Sequence, residues 1–147
     1  MTMDGKPIVI MLVEDDAAHA EIARRNLESF RVANTLVHLS DGQQAIDYLA
    51  DAHAGREHAL RPDLILLDLR LPRVDGLEVL AHIHNNPDLR SIPVVVLTTS
   101  DAERDIVAAY QRGAVSYLTK PVDFAKFVQL MEAFGFYWLV WNRYPTA

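Results

Sequence analysis

Short apolar runs alternate with amphipathic stretches along almost the whole chain, and that alternation restricts the possible folds more than any other feature. The apolar runs are Ile8–Val13, Thr35–Leu39, Leu64–Leu67, Val94–Thr98 and Val115–Thr119, each of a length suited to a strand. Between and after them lie stretches of helical spacing: Ala17–Phe30 with Asp16 placed to cap it, Asp41–Ala52, Gly76–His84, a helix that Ser100-Asp101-Ala102-Glu103 opens as a capping box and Gly113 closes, and Asp123–Phe134. His53–Pro62 is a polar connection longer than such a unit needs. Strands as apolar as Leu64–Leu67 are stable only when both faces are covered. The expected fold is therefore α/β: a doubly wound parallel sheet of five strands with five helices packed on its faces. In such sheets ligands sit beyond the carboxyl ends of the strands, so functional side chains should gather there.

The remaining bulk properties narrow the function. A chain of 147 residues suits one domain, and with half of them apolar it can bury a core. Its formal charge of −6 argues against broad binding to nucleic acid or a membrane surface, both of which attract basic patches. No stretch is long and apolar enough to span a bilayer, and Met1 to Pro7 lacks a signal-peptide core. With no cysteine there are no disulfides or thiolate metal sites, which fits a cytoplasmic protein.

Polar residues fall at the strand ends where the fold places function. The first strand ends in Glu14-Asp15-Asp16, the third in Asp68, the fourth in Thr98-Thr99-Ser100, and the fifth is followed by Lys120-Pro121. Each signal alone is weak, since a carboxylate after a strand is commonly a cap and a lone lysine is commonly solvated. Together they describe a site. Crowded carboxylates repel one another until a cation arrives, and hard oxygen donors without Cys or His select Mg²⁺ or Mn²⁺. With Lys120 opposite, such a site can receive a phosphoryl group, and Asp68 is the candidate nucleophile. The six histidines (His19, His38, His53, His58, His82, His84) show no joint metal spacing with these carboxylates and read as surface or packing residues.

The motifs Val13-Glu14-Asp15-Asp16, Leu66-Leu67-Asp68-Leu69-Arg70-Leu71-Pro72, Asp75-Gly76, Leu97-Thr98 and Gly113-Ala114-Val115-Ser116-Tyr117-Leu118-Thr119-Lys120-Pro121 stand in one order and spacing. In these the chain resembles the CheY-like receiver domains of two-component response regulators, from about Ile8 to Phe134. The resemblance implies the flavodoxin-like strand order 2-1-3-4-5 and a division into a receiver domain, 1–134, and an extension, 135–147. It implies that Asp68 is the phosphoacceptor, that Asp15 binds the metal directly and Glu14 through water, and that the backbone carbonyl of Arg70 is a further ligand. It also implies that Thr98 and Lys120 contact the phosphoryl group, that Tyr117 is the switch aromatic coupled to Thr98, and that the Lys120–Pro121 bond is cis. Asp16 then caps the first helix. A sensor histidine kinase would be the phosphodonor, docking near Ala17, Ala18, Ile22 and the loop after Lys120.

Six of the twelve aromatic residues lie between Phe134 and Tyr144. Phe124, Phe127, Val128, Met131, Phe134, Trp138 and Trp141 follow helical spacing and can form one buried stripe. That leaves Phe136, Tyr137, Leu139 and Val140 on other faces, a surplus that suggests an interface with Phe136, Tyr137, Trp138, Leu139 and Trp141 as anchors and a homodimer as its default form. The tail, together with the long His53–Pro62 connection, is similar to the phytochrome-associated single-domain response regulators, so the expectation is a receiver without an output module serving a phytochrome-type kinase.

Two other classes compete. A haloacid-dehalogenase-type phosphohydrolase also uses a strand-end aspartate with Mg²⁺, but needs an acidic residue where this chain has Arg70, so no enzymatic turnover is expected. A non-phosphorylated scaffold on the same fold would have no use for Glu14, Asp15, Asp68, Thr98 and Lys120 together. A nucleotide-binding flavodoxin-like protein would want a phosphate-binding loop where Glu14-Asp15-Asp16 would repel one. Arg70, two residues past Asp68, should stand at the mouth of the site and hinder an attacking water. Arg70→Asn is expected to shorten the phosphoryl lifetime, measured as loss of label after donor removal; an equal or longer lifetime contradicts this reading.

Overall fold

The strands form because their side chains divide by parity between two apolar layers. In β1 (Ile8–Val13), Ile8, Ile10 and Leu12 face one way and Met11 and Val13 the other, and all are buried. The same division holds in β3 (Leu64–Leu67) and β4 (Val94–Thr98), every residue of which is buried. β2 (Asn34–Leu39) and β5 (Ser116–Thr119) lie at the two edges. A computed structural model describes residues 8–29, 34–121 and 123–135. All neighbouring strands run parallel in the order β2-β1-β3-β4-β5, so the expected topology is the observed one.

The helices are α1 (Ala17–Glu28), α2 (Gly42–His53), α3 (Gly76–His84), α4 (Glu103–Gln111) and α5 (Phe124–Gly135). Ala20, Ile22, Ala23 and Leu27 of α1 and Phe127, Met131 and Phe134 of α5 cover the face that carries Ile10, Leu66 and Val95. Residues of α2, α3 and α4, among them Leu49, Val79, Ile83 and Ala109, cover the face that carries Met11, Ile65 and Val96. Burial of each large side chain in these layers contributes about 1.5–3 kcal/mol.

Local chemistry sets the helix starts. Asp16 accepts hydrogen bonds from the N–H groups of Ala18 and His19, Asp41 from that of Gln44, and Asp75 from that of Leu77. The capping box expected at α4 does not form: its N-cap is Ala102, without a side-chain cap bond, and the Ser100 hydroxyl instead donates to the Asp105 carboxylate. A charged acceptor gives the hydroxyl a stronger bond than a helix N–H would. Gly113, at φ +93°, ends α4 in the left-handed region that glycine adopts freely. Gly76 is required for a different reason: a Cβ there would stand 2.2 Å from the Asp68 carbonyl oxygen, so α3 starts directly against the strand end that carries Asp68. Ile22, expected on a docking surface, is buried at 6% exposure against the sheet because its apolar side chain completes the α1 stripe, whereas Ala17 and Ala18 are exposed.

The order of winding determines where a site can lie. The chain moves outward from β1 to β2, then returns past β1 to β3, so connections leave the carboxyl ends of β1 and β3 in opposite directions and open a crevice between them.

Candidate functional site

Backbone bonds hold the strand ends that border the crevice. The Glu14 N–H donates to the Leu39 carbonyl at 2.9 Å, that of Asp68 to the Val13 carbonyl at 3.1 Å, and that of Lys120 to the Thr98 carbonyl at 2.6 Å. Each residue just beyond a strand is thus fixed to its neighbour, and the side chains converge. One carboxylate oxygen from each of Glu14, Asp15 and Asp68 lies within 4.8 Å of the others. Glu14 and Asp68 are buried at 3% and 7% exposure while Asp15 opens to solvent.

Lys120 neutralises part of this charge from inside. Its buried ammonium donates to a Glu14 carboxylate oxygen and, at 3.0 Å, to Oδ2 of Asp68. The other Asp68 oxygen, Oδ1, accepts the Arg70 N–H at 3.2 Å. Burial pushes the Glu14 carboxyl up to about 7, against the opposing pull of Lys120. A fully buried Thr98 stands at the end of β4, its hydroxyl oxygen facing the Ser100 N–H at 3.4 Å. The Tyr117 hydroxyl donates to the Ser100 carbonyl at 2.7 Å, so threonine and tyrosine meet through Ser100.

Some expectations need correction. No cis peptide bond occurs among the described residues, so Lys120–Pro121 is trans, the form an X–Pro amide still prefers by about 0.5–1 kcal/mol, and Lys120 reaches the carboxylates from it. His19 is not a surface or packing residue alone. Its Nδ1 lies 3.2 Å from the Lys120 ammonium while its ring stacks edge-on against Phe127, 5.0 Å between centroids. An ammonium only donates, so in this contact Nδ1 is the acceptor. Asp16 at the helix start and His19 one turn on share a face, and that spacing was the available sequence signal. Arg70 turns its guanidinium to Asp105 on α4, 2.7 Å away. The expected interface residues Phe136, Tyr137, Trp138, Leu139 and Trp141 lie outside the described residues.

An aspartate between two acids, a buried lysine and a threonine at the ends of β1, β3, β4 and β5 is one arrangement of a known family, and the response regulator receiver domain profile matches residues 10–132. The chain belongs to the response regulator receiver family. The receiver is 46% identical over 139 residues to the "Probable methanogenesis regulatory protein FilR2" of Methanothrix harundinacea, covering 95% of this chain and 88% of that protein. It is 41% identical over 141 residues to the response regulator Rcp1 of Synechocystis, covering 96% and 95%. Among solved structures, the Mn²⁺-bound form of Rcp1 superposes with a TM-score of 0.90, covering 95% of this receiver and all of that chain at 41% identity. The phosphorylated cyanobacterial phytochrome response regulator RcpA superposes with a TM-score of 0.88 at 38% identity, covering 96% and 100%. The receiver is therefore a two-component signalling protein, and its relatives include phytochrome-associated response regulators.

The donor set suits a hard dication: the three groups that converge are all carboxylates, and Glu14 is buried at a cost that a nearby positive charge relieves. The sign of the pH dependence follows. A carboxyl whose folded value is raised from 4.5 to about 7 contributes stability below the unfolded value and loses it as pH rises through 7. Cation binding needs the ionised form and runs the other way. Mg²⁺ affinity, measured by calorimetry, is expected to rise between pH 6 and pH 8, and Glu14→Gln to weaken it about tenfold and flatten the pH dependence. A wild-type affinity that does not change with pH would contradict this origin.

Proposed function

We propose that Asp68 is the phosphoacceptor of this receiver and that phosphorylation changes which proteins it binds. The observation that carries the proposal is the position of Lys120, buried and bonded to both Glu14 and Asp68 on the inner side of the acidic cluster. Asp15 and Asp68 would hold Mg²⁺, or Mn²⁺ in its place, with the Arg70 backbone carbonyl as a third protein ligand and Glu14 acting through water. When bound, the ion supplies positive charge to the phosphoryl oxygens. A carboxylate oxygen of Asp68 attacks phosphorus, the bond from phosphorus to the donor breaks, and the donor leaves with its electron pair. The product is an aspartyl phosphate, a mixed anhydride whose energy drives the switch. Lys120 pairs with the new charge and the Thr98 hydroxyl turns toward it, so Ser100 loses one of its contacts and Tyr117 repacks with it.

The donor is a sensor histidine kinase of the phytochrome type, in line with the relatedness to Rcp1 and RcpA. The kinase meets the exposed start of α1 around Ala17 and Ala18, beside the site. The extension 135–147 forms a homodimer or partner interface through Phe136, Tyr137, Trp138, Leu139 and Trp141. The receiver acts in the cytoplasm as a stoichiometric switch and not as a phosphohydrolase, because Arg70 occupies the position a general acid would need. Incubation with acetyl phosphate and Mg²⁺ is expected to add one phosphoryl group, located on Asp68 by mass spectrometry and absent from Asp68→Asn. Modification elsewhere, or steady turnover of small phosphate esters, contradicts the proposal.

A further inference from the structure

Ser100 and Asp105 form a junction that receptor-site chemistry alone does not require. Ser100 presents its N–H to Thr98, accepts the Tyr117 hydroxyl at its carbonyl, and donates its own hydroxyl to the Asp105 carboxylate. Asp105 sits in the first turn of α4, only 5% exposed, and it also pairs with the Arg70 guanidinium at 2.7 Å. Arg70 in turn has its backbone N–H on Asp68. One continuous chain of contacts therefore runs from the phosphoacceptor through Arg70, Asp105 and Ser100 to Tyr117, in addition to the path through Thr98.

The two ends of the ion pair differ in freedom. The Arg70 side chain is 55% exposed and long, while that of Asp105 is 8% exposed and short. A phosphoryl group on Asp68 brings a charge of about −1.5 to −2 and three acceptor oxygens within reach of residue 70. A guanidinium stays charged at any physiological pH and matches phosphate oxygens in pairs, so the new anion competes with Asp105 for it. Arg70 can swing and Asp105 cannot. If Arg70 leaves, Asp105 keeps, among the described residues, the Ser100 hydroxyl as its side-chain partner at a buried position, which a carboxylate tolerates poorly.

We propose that the Arg70–Asp105 ion pair is a latch, closed in the unphosphorylated receiver, that holds the first turn of α4 and with it Ser100 and Tyr117. It rests on Asp68 being the phosphoacceptor. Phosphorylation draws the Arg70 guanidinium onto the phosphoryl oxygens and opens the latch. Arg70 is then a positioning residue with two alternative anionic partners, and the strength of the closed pair sets how strongly the site resists phosphorylation.

The test is a double-mutant cycle on affinity for beryllofluoride, a tetrahedral stand-in for the phosphoryl group, with Mg²⁺ present. Asp105→Asn removes the competitor and is expected to tighten beryllofluoride binding about fivefold when Arg70 is present. In an Arg70→Asn background the same substitution is expected to have no effect. Equal effects in both backgrounds would mean that Asp105 only supports α4, and would overturn the latch. Hydrogen exchange gives a second readout, whose comparison of the unmutated receiver with and without beryllofluoride survives poor folding of a variant. The amides of residues 102–106 are expected to exchange faster once beryllofluoride binds, and faster without it in Arg70→Asn; unchanged exchange in both overturns the latch. A wild-type receiver that binds no beryllofluoride at all removes the phosphoacceptor reading and the latch together, whereas binding without coupling removes the latch alone.

Discussion

The buried ammonium of Lys120, bonded to Glu14 and to Asp68, is the interaction on which the rest of the site depends. Two carboxylates at 3% and 7% exposure would not share a crevice without it, because burial favours the neutral acid and mutual repulsion adds to that preference. The pair is more than a stabilising contact. Buried ion pairs often contribute little net stability, since desolvation offsets much of their attraction. What this one does is place a positive charge between the Glu14 and Asp68 carboxylates, inside the crevice where the acids converge. The residue before Pro121, fixed to Thr98 through its backbone, serves that purpose from the adjacent strand end.

The sheet makes the convergence possible. Its parallel order brings residues 14, 68, 98 and 120, distant in sequence, to one edge, and the close seating of α3 against the Asp68 backbone, which only Gly76 permits, fixes the third strand end. Site and core are therefore not separable. Met11 and Leu12 face opposite layers, β1 ends at Val13 beside Leu67 at the end of β3, and Glu14 and Asp68 follow directly.

Much of this was readable from the residues in order. Apolar runs such as Leu64–Leu67 and Val94–Thr98 reappear with the same limits as strands, because a doubly covered strand leaves an uninterrupted apolar signature. The strand-end carboxylates, Thr98 and Lys120 could be placed at one edge once the sheet was inferred. Contacts that depend on which way a side chain turns were not readable. The pairing of the Arg70 guanidinium with Asp105 on α4 was not foreseen, and Ser100, expected to cap α4, binds the same carboxylate. His19 was expected at the surface or in packing, yet its Nδ1 meets Lys120, a contact between residues 101 positions apart that no local pattern announces. Each of these depends on three-dimensional proximity between charged or hydrogen-bonding groups, and spacing along one element carries no record of it.

The claim that acids from the ends of β1 and β3 hold one divalent cation between them is tested most directly by counting bound Mn²⁺ with electron paramagnetic resonance of the free ion. The account predicts one ion per chain in the wild-type protein and a large loss of affinity in both Asp15→Asn and Asp68→Asn. If both variants retained the ion as tightly as the wild type, the cation would lie elsewhere and the account of the site would be wrong.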